Sequence, residues 1–352
     1  MTTNPAPFFR PLSLGEVLDQ AIRIYRRKFL TMIGILVIPF FPIIVMQAVS
    51  SYLMVDATRT LDSSNVFENT AYWMGLAGAY GVAILQYFLV QGVGGAAVTR
   101  VVADHYANRP TGILDSYRQA APSLGRVIVA QLALALVFLG VFVWLVIPCI
   151  GWFSGPGMIF FLASVVAPLL VPIAILEKKG GFGAFRRAWD LGRSRFWWLM
   201  GFAFVLSLLG QLLVAVPIYL VNFLVNVLAG AQLGADQAAL ITSLVSSLTS
   251  FATGLLFMPL SMTAMIVVYF DLRVRSEGLD LAMQAASQAD PEANIVTLAE
   301  TTPSAPLGSF MTGTDVAYFI LLSMIFLALY FALVFLFVAL IFGLGSLAGA
   351  GF

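Results

Sequence analysis

The sequence predicts an all-α fold, a polytopic transmembrane helical bundle, and three observations carry that expectation. Hydrophobic residues make up 61% of the chain and charged residues only 10%, whereas soluble domains carry about 25% charged residues. Seven stretches lack any charged side chain and are each long enough to cross about 30 Å of hydrocarbon as helix. The basic residues gather between alternate stretches, as the loops of a multi-pass protein do.

The seven predicted spans are Phe29–Val55, Ala71–Val98, Val127–Ile150, Met158–Leu176, Phe196–Ala231, Ala238–Phe270 and Val316–Phe352. The first is too long for the apolar core of a secretory signal, roughly 7–15 residues, and no small-residue cleavage site follows it. It is therefore expected to stay as an anchor. Spans 3 and 4 are separated by Gly151–Gly157, whose glycines and Pro156 predict a tight turn there. Pro39, Pro42, Pro168, Pro172, Pro217 and Pro259 fall inside spans and predict kinks, because each removes a backbone donor. Gly75, Gly78, Gly81, Gly92, Gly94 and Gly95 give span 2 a smooth face for close helix approach.

Seventeen of the 18 basic residues fall on one side of an alternating topology, with Arg59 the exception. The positive-inside rule predicts that this side is cytoplasmic, with the N-terminus inside and the C-terminus outside. Net charge is only +1, so no global field points to nucleic acid. The segments ahead of spans 1, 3 and 5 each read as a cytoplasmic amphipathic helix feeding a hairpin of two spans. In the first, within residues 1–28, Leu14, Val17, Leu18, Ala21, Ile22 and Tyr25 follow helical spacing, and Ser13 with Glu16 forms a capping box. The others lie near 111–121 and 181–195, the last with Phe182, Phe185 and Trp189 beside its arginines. Basic amphipathic helices of this kind lie in the headgroup plane. The six-span core then runs over 29–284, a polar stretch at 285–314 predicts a flexible cytoplasmic linker, and 315–352 supplies a seventh span.

Chemistry-bearing residues are few. The spans as drawn contain no ionisable side chain, which argues against ion-coupled transport. Their polar residues, Gln47, Gln86, Gln91, Gln131, Gln211, Asn222 and Asn226, are expected to hydrogen-bond between helices. His105 is the only histidine and Cys149 the only cysteine. Neither has the companions of a triad or a metal site, so no catalytic residue, metal or cofactor is expected. Cys149 is expected to pack as a small hydrophobe.

The basic clusters remain. Arg23, Arg26, Arg27, Lys28, Arg186, Arg187, Arg193, Arg195, Arg273 and Arg275 are candidate contacts for anionic headgroups or for a membrane-protein partner. After span 6, Asp271 with Arg275 and Arg273 with Glu277 fall at i, i+4, and Gly278 is placed to end the helix.

Three segments together carry a resemblance. Pro11–Arg27, Phe185–Leu191 with Arg195–Trp197, and Tyr269–Leu281 look like the corresponding parts of the glycerophosphoryl diester phosphodiesterase membrane-domain family. The similarity covers about residues 10–283 and implies a stand-alone bacterial inner-membrane protein. The enzymes of that name use a soluble barrel with histidine and acidic residues, for which no region here is long enough. The sequence thus points first to a non-enzymatic scaffold, assembly factor or accessory subunit. The alternative is a transporter or lipid-handling protein with a cavity between kinked helices, and a membrane-bound phosphodiesterase ranks last.

Overall fold

The computed structural model describes residues 10–60, 69–230, 235–289, 302 and 308–349. Among them the regular structure is helical throughout, and seven helices are long and apolar enough to cross a membrane. These are Phe29–Met54, Thr70–Tyr106, Leu124–Leu145, Ile150–Leu176, Phe196–Val227, Ile241–Glu277 and Gly313–Leu336, taken below as spans 1 to 7. The all-α polytopic bundle predicted from composition is the fold observed.

Three amphipathic helices precede spans 1, 3 and 5: Leu14–Arg27, Ile113–Ala120 and Gly181–Ser194. Each buries one face, because its apolar residues recur once per turn. The first buries Val17, Ala21 and Ile24. Its start is fixed by Glu16, whose carboxylate accepts the Ser13 backbone N–H at 2.8 Å.

The element contacts form a ring of three units, each a surface helix followed by two spans. Spans 2, 4 and 6 touch one another and make the inner trio. Each surface helix packs on the even span of the preceding unit: the first on span 6, the second on span 2, the third on span 4. Spans 1, 3 and 5 do the same, pairing span 1 with span 6, span 3 with span 2 and span 5 with span 4. An acid at the end of each even span ties down the segment of the next unit. Asp271 accepts the Leu12 backbone N–H at 2.7 Å, Asp104 accepts the Thr111 hydroxyl at 2.7 Å, and Glu177 accepts Arg187 Nε at 2.9 Å.

Packing is uneven along the bundle. At the basic end, the trio residues Ala96–Val98, Ile173–Leu176 and Val267–Tyr269 are buried. Toward the other end, Tyr52, Trp73, Tyr80, Tyr219, Phe223 and Leu248 are exposed, as side chains facing lipid are. Lipid supplies no hydrophobic drive between helices, so close backbone approach matters most there. Gly78 allows it on span 2, where a Cβ would sit 2.8 Å from the Ser50 hydroxyl.

Four expectations need correction. The turn between spans 3 and 4 lies at Val146–Cys149, not at Gly151–Gly157, which is helical. Those glycines serve packing instead: a Cβ on Gly157 would meet the Phe319 carbonyl oxygen of span 7 at 2.3 Å. Cys149 is exposed in that turn, with φ +65°, and is not a core residue. The predicted linker is partly structured, since a helix runs over Leu279–Ala289 and the segment 308–312 is docked. Its central residues 290–301 and 303–307 lie outside the described residues. The fourth concerns two of the candidate arginines and belongs to the site.

Candidate functional site: a buried ion-pair cluster and an intramembrane crevice

At the basic end, Arg187 and Arg273 are not at a headgroup surface. Their side chains are 2% and 1% exposed, and they are locked to Glu177 and Glu277. Arg187 Nε lies 2.9 Å from Glu177, and its Nη2 pairs with Glu277. Arg273 Nε donates to Glu277 at 2.6 Å and lies 3.7 Å from Glu177 through Nη1. The Tyr269 hydroxyl donates to Glu177 at 3.0 Å, which closes the cluster. Burial opposes the charge on Arg187, yet the two glutamates more than offset it and hold the guanidinium above its usual pKa. The cluster bolts the third surface helix and the end of span 4 to span 6.

The motif at the end of span 6 takes the predicted geometry. Asp271 receives Arg275 at 3.0 Å and Arg195 at 3.4 Å, and Gly278 ends the helix at φ +64°. Arg275 also donates to the Leu12 carbonyl at 2.7 Å. Arg195 is held below its usual pKa by burial and by Arg275, with Asp271 opposing. Its guanidinium stacks 4.6 Å from the Trp198 ring centroid.

Arg186 and Arg193 hold the approach to span 7. Arg186 Nε binds Asp190 at 3.0 Å, and its guanidinium lies over Phe310 at 5.2 Å. Arg193 donates to the Ser309 carbonyl at 2.7 Å and reaches Asp315 at 3.5 Å. Phe310 stacks on the buried Trp189 at 5.3 Å, and the Trp189 indole N–H donates to the Phe310 carbonyl. Of the candidate headgroup contacts, Arg23, Arg26 and Arg27 are exposed on the first surface helix, with Lys28 half-buried after it. Among the described residues no group of three or more His, Cys, Asp or Glu could hold a metal ion.

The second feature is a cavity of about 530 Å³ at the midpoints of spans 1, 2, 5 and 6. Gln47, Gln86 and Gln211 line it with Ser207, Ser247 and Ser250, against an apolar wall that includes Phe40, Ile43 and Phe257. Two further cavities continue it. One of about 320 Å³ shares Gln47 and runs toward the end opposite the arginines, past Ser50, Ser51 and Ser243. The other, of about 220 Å³, shares Phe257 and Met258 and runs toward the basic end, past Gln91, Thr99 and Gln131. Beyond it the packed ends of the inner trio close the series.

Local helix geometry makes the room. Span 2 winds as π-helix over Gln86–Gly94 and span 5 over Gln211–Ala215. Such wide turns push side chains out of the regular stripe and gather at functional sites. Pro259, beside Met258, removes a helix hydrogen bond at the junction of two cavities. Two of the expected interhelical bonds form: Gln131 Nε2 donates to the Tyr87 carbonyl at 2.8 Å, and the Ser246 hydroxyl donates to Asn222. Gln47, Gln86, Gln91 and Gln211 line cavities instead.

No family model matches the chain, and neither a curated protein nor a solved structure is similar to it.

Proposed function

We propose that this chain is a lipid-handling membrane protein, without enzymatic activity of its own, that takes an uncharged, hydrogen-bonding amphiphile into the crevice between its spans. The observation that carries this reading is the convergence of three glutamines and three serines on one cavity at the midpoints of four spans. Amides and hydroxyls held in an apolar surround need partners, and an amphiphile with a hydroxyl or amide head supplies both donors and acceptors. The cavity lining carries no ionisable side chain, which disfavours an ion or a charged head as cargo. Its volume suits a small ligand or one end of a lipid. The basic end faces the cytoplasm in this reading, so the chain of cavities opens toward the other leaflet.

A scaffold was the first expectation from sequence. The exposed arginines of the first surface helix and the appended span 7 support that reading, but the crevice supports lipid handling more directly. The resemblance over residues 10–283 is compatible with either role, since it implies a membrane domain lacking the phosphodiesterase barrel.

Photocrosslinking tests the proposal. A diazirine-bearing monoacylglycerol, activated in vesicles holding the chain, is expected to label the peptides around Gln47, Gln211 and Phe251. Gln47→Leu with Gln211→Leu should abolish that label. Adducts confined to outward residues such as Leu136, Phe142 and Phe223, and unchanged by the substitutions, would refute it.

A further inference from the structure

Most of the candidate headgroup contacts are neutralised by the protein itself. Arg186, Arg187, Arg193, Arg195, Arg273 and Arg275 each lie within 4 Å of a carboxylate. Arg23, Arg26 and Arg27 do not, among the described residues. All three are exposed, and with Ile22 and Asp19 they line one recess of about 510 Å³ on the first surface helix. Asp19 sets one carboxylate against three guanidiniums and forms an ion pair with none of them. Helical spacing gathers these five residues on one face, opposite the buried Val17, Ala21 and Ile24. The helix that carries them is pinned along its length. Asp271 and Arg275 hold the Leu12 backbone from both sides, Gln20 donates to the Tyr106 hydroxyl at 2.9 Å, and the Tyr25 hydroxyl donates to the Leu256 carbonyl at 2.9 Å.

Three uncompensated guanidiniums around one recess draw an anion from outside the protein. Their planar donor forks match phosphate oxygens. The neighbouring surface says what else the ligand carries. Leu30, three residues after Arg27, is 80% exposed, and it begins an exposed stripe that continues through Ile38, Phe41 and Val45 on one face of span 1. Charge at the mouth of a span with apolar surface directly below it is the order of chemistry in a phospholipid. We propose that Arg23, Arg26 and Arg27 seat the phosphate of an anionic phospholipid whose acyl chain lies along that stripe of span 1. An acidic protein would match the arginines and leave the stripe unused. None of these residues lines the crevice or its two extensions, so this site stands apart from the one proposed for an uncharged amphiphile.

The test follows thermal unfolding of the purified full chain in neutral detergent during titration with phosphatidylglycerol, phosphatidylcholine or inorganic phosphate. Phosphatidylglycerol is expected to raise the midpoint saturably, and the other two are not. Arg23→Gln, Arg26→Gln and Arg27→Gln should each weaken half-saturation about fivefold, and together about a hundredfold. Arg118→Gln, an exposed arginine on the second surface helix, should leave it unchanged. Raising the salt should weaken the wild-type response, because the recess is open to solvent. A wild-type chain that ignores phosphatidylglycerol overturns the proposal without recourse to any variant, as does a response undiminished in the triple variant. An equal rise with inorganic phosphate alone overturns the assignment of a lipid. An acidic protein that co-purifies through these arginines, with the phosphatidylglycerol response unaffected by their loss, overturns it in favour of a protein partner.

Discussion

Replacing Arg187 by glutamine probes the ion-pair cluster at one of its buried members. The wild-type cluster is balanced, with Arg187 and Arg273 facing Glu177 and Glu277. Arg187→Gln leaves two carboxylates, 4% and 1% exposed, to share one buried guanidinium. Removing one partner of a buried pair costs about 3–5 kcal/mol. Glu177 retains the Tyr269 hydroxyl at 3.0 Å and Lys179 at 3.3 Å, and Glu277 retains Arg273 at 2.6 Å, which favours the lower end, about 3 kcal/mol. Equilibrium unfolding in mixed micelles with increasing dodecyl sulfate measures the loss. Glu277→Gln in the Arg187→Gln background should restore part of the stability, because it removes the uncompensated charge. The coupling in that double-mutant cycle is expected at about 1–3 kcal/mol. A single variant within about 0.5 kcal/mol of wild type, or strict additivity of the two changes, would refute the reasoning.

Three further outcomes follow from other contacts. Gly157→Ala places a Cβ against the Phe319 carbonyl oxygen, at 2.3 Å before any shift, so span 7 should separate from span 4 at a cost of about 1–3 kcal/mol, read as faster hydrogen exchange over 313–336. Phe310→Ala removes the stack on Trp189 and the cation–π contact from Arg186. Limited proteolysis should then cut near residue 310 while the six-span core stays intact; unchanged resistance would count against the docked linker. Glu16 is held below its ordinary pKa by the Ser13 backbone N–H, then by the Ser13 side chain and by Arg10. A depressed folded pKa gives stability that is present above the unfolded value of 4.5 and is lost as pH falls through the folded value. The difference in unfolding midpoint between wild type and Glu16→Gln should therefore shrink from about pH 6 to about pH 3; a constant difference would mean no coupling, and one that grows toward acid would have the wrong sign.

Much of the fold was legible because the bilayer imposes simple local rules. An uncharged run of sufficient length has to be a spanning helix, since unsatisfied backbone groups are too costly in hydrocarbon. The capping glutamate at Glu16, the i, i+4 pair of Asp271 and Arg275, and the left-handed Gly278 are likewise local signals and read correctly. What failed was non-local. Arg187 looked like a headgroup contact because its partner Glu277 is far along the chain, and a charge beside an apolar run reads the same whether lipid or a carboxylate meets it. Glu177, at the very end of an apolar run and followed by two lysines, is the local signal of a buried partner. Gly151–Gly157 resembles a turn in sequence, although glycines in lipid also serve close helix contact. The prolines suggest a cavity between kinked helices but not where it lies: Gln47, Gln86 and Gln211 sit on three spans, and only their tertiary arrangement and two π-helical turns bring them to one cavity.

Native mass spectrometry of the chain released from membranes into mild detergent tests the crevice most directly. The expected result is an uncharged, hydrogen-bonding amphiphile retained at about one per chain, and lost when Gln47→Leu, Gln86→Leu and Gln211→Leu are combined. A bare chain under every release condition, or a ligand that survives the triple substitution, would contradict a lipid-handling role.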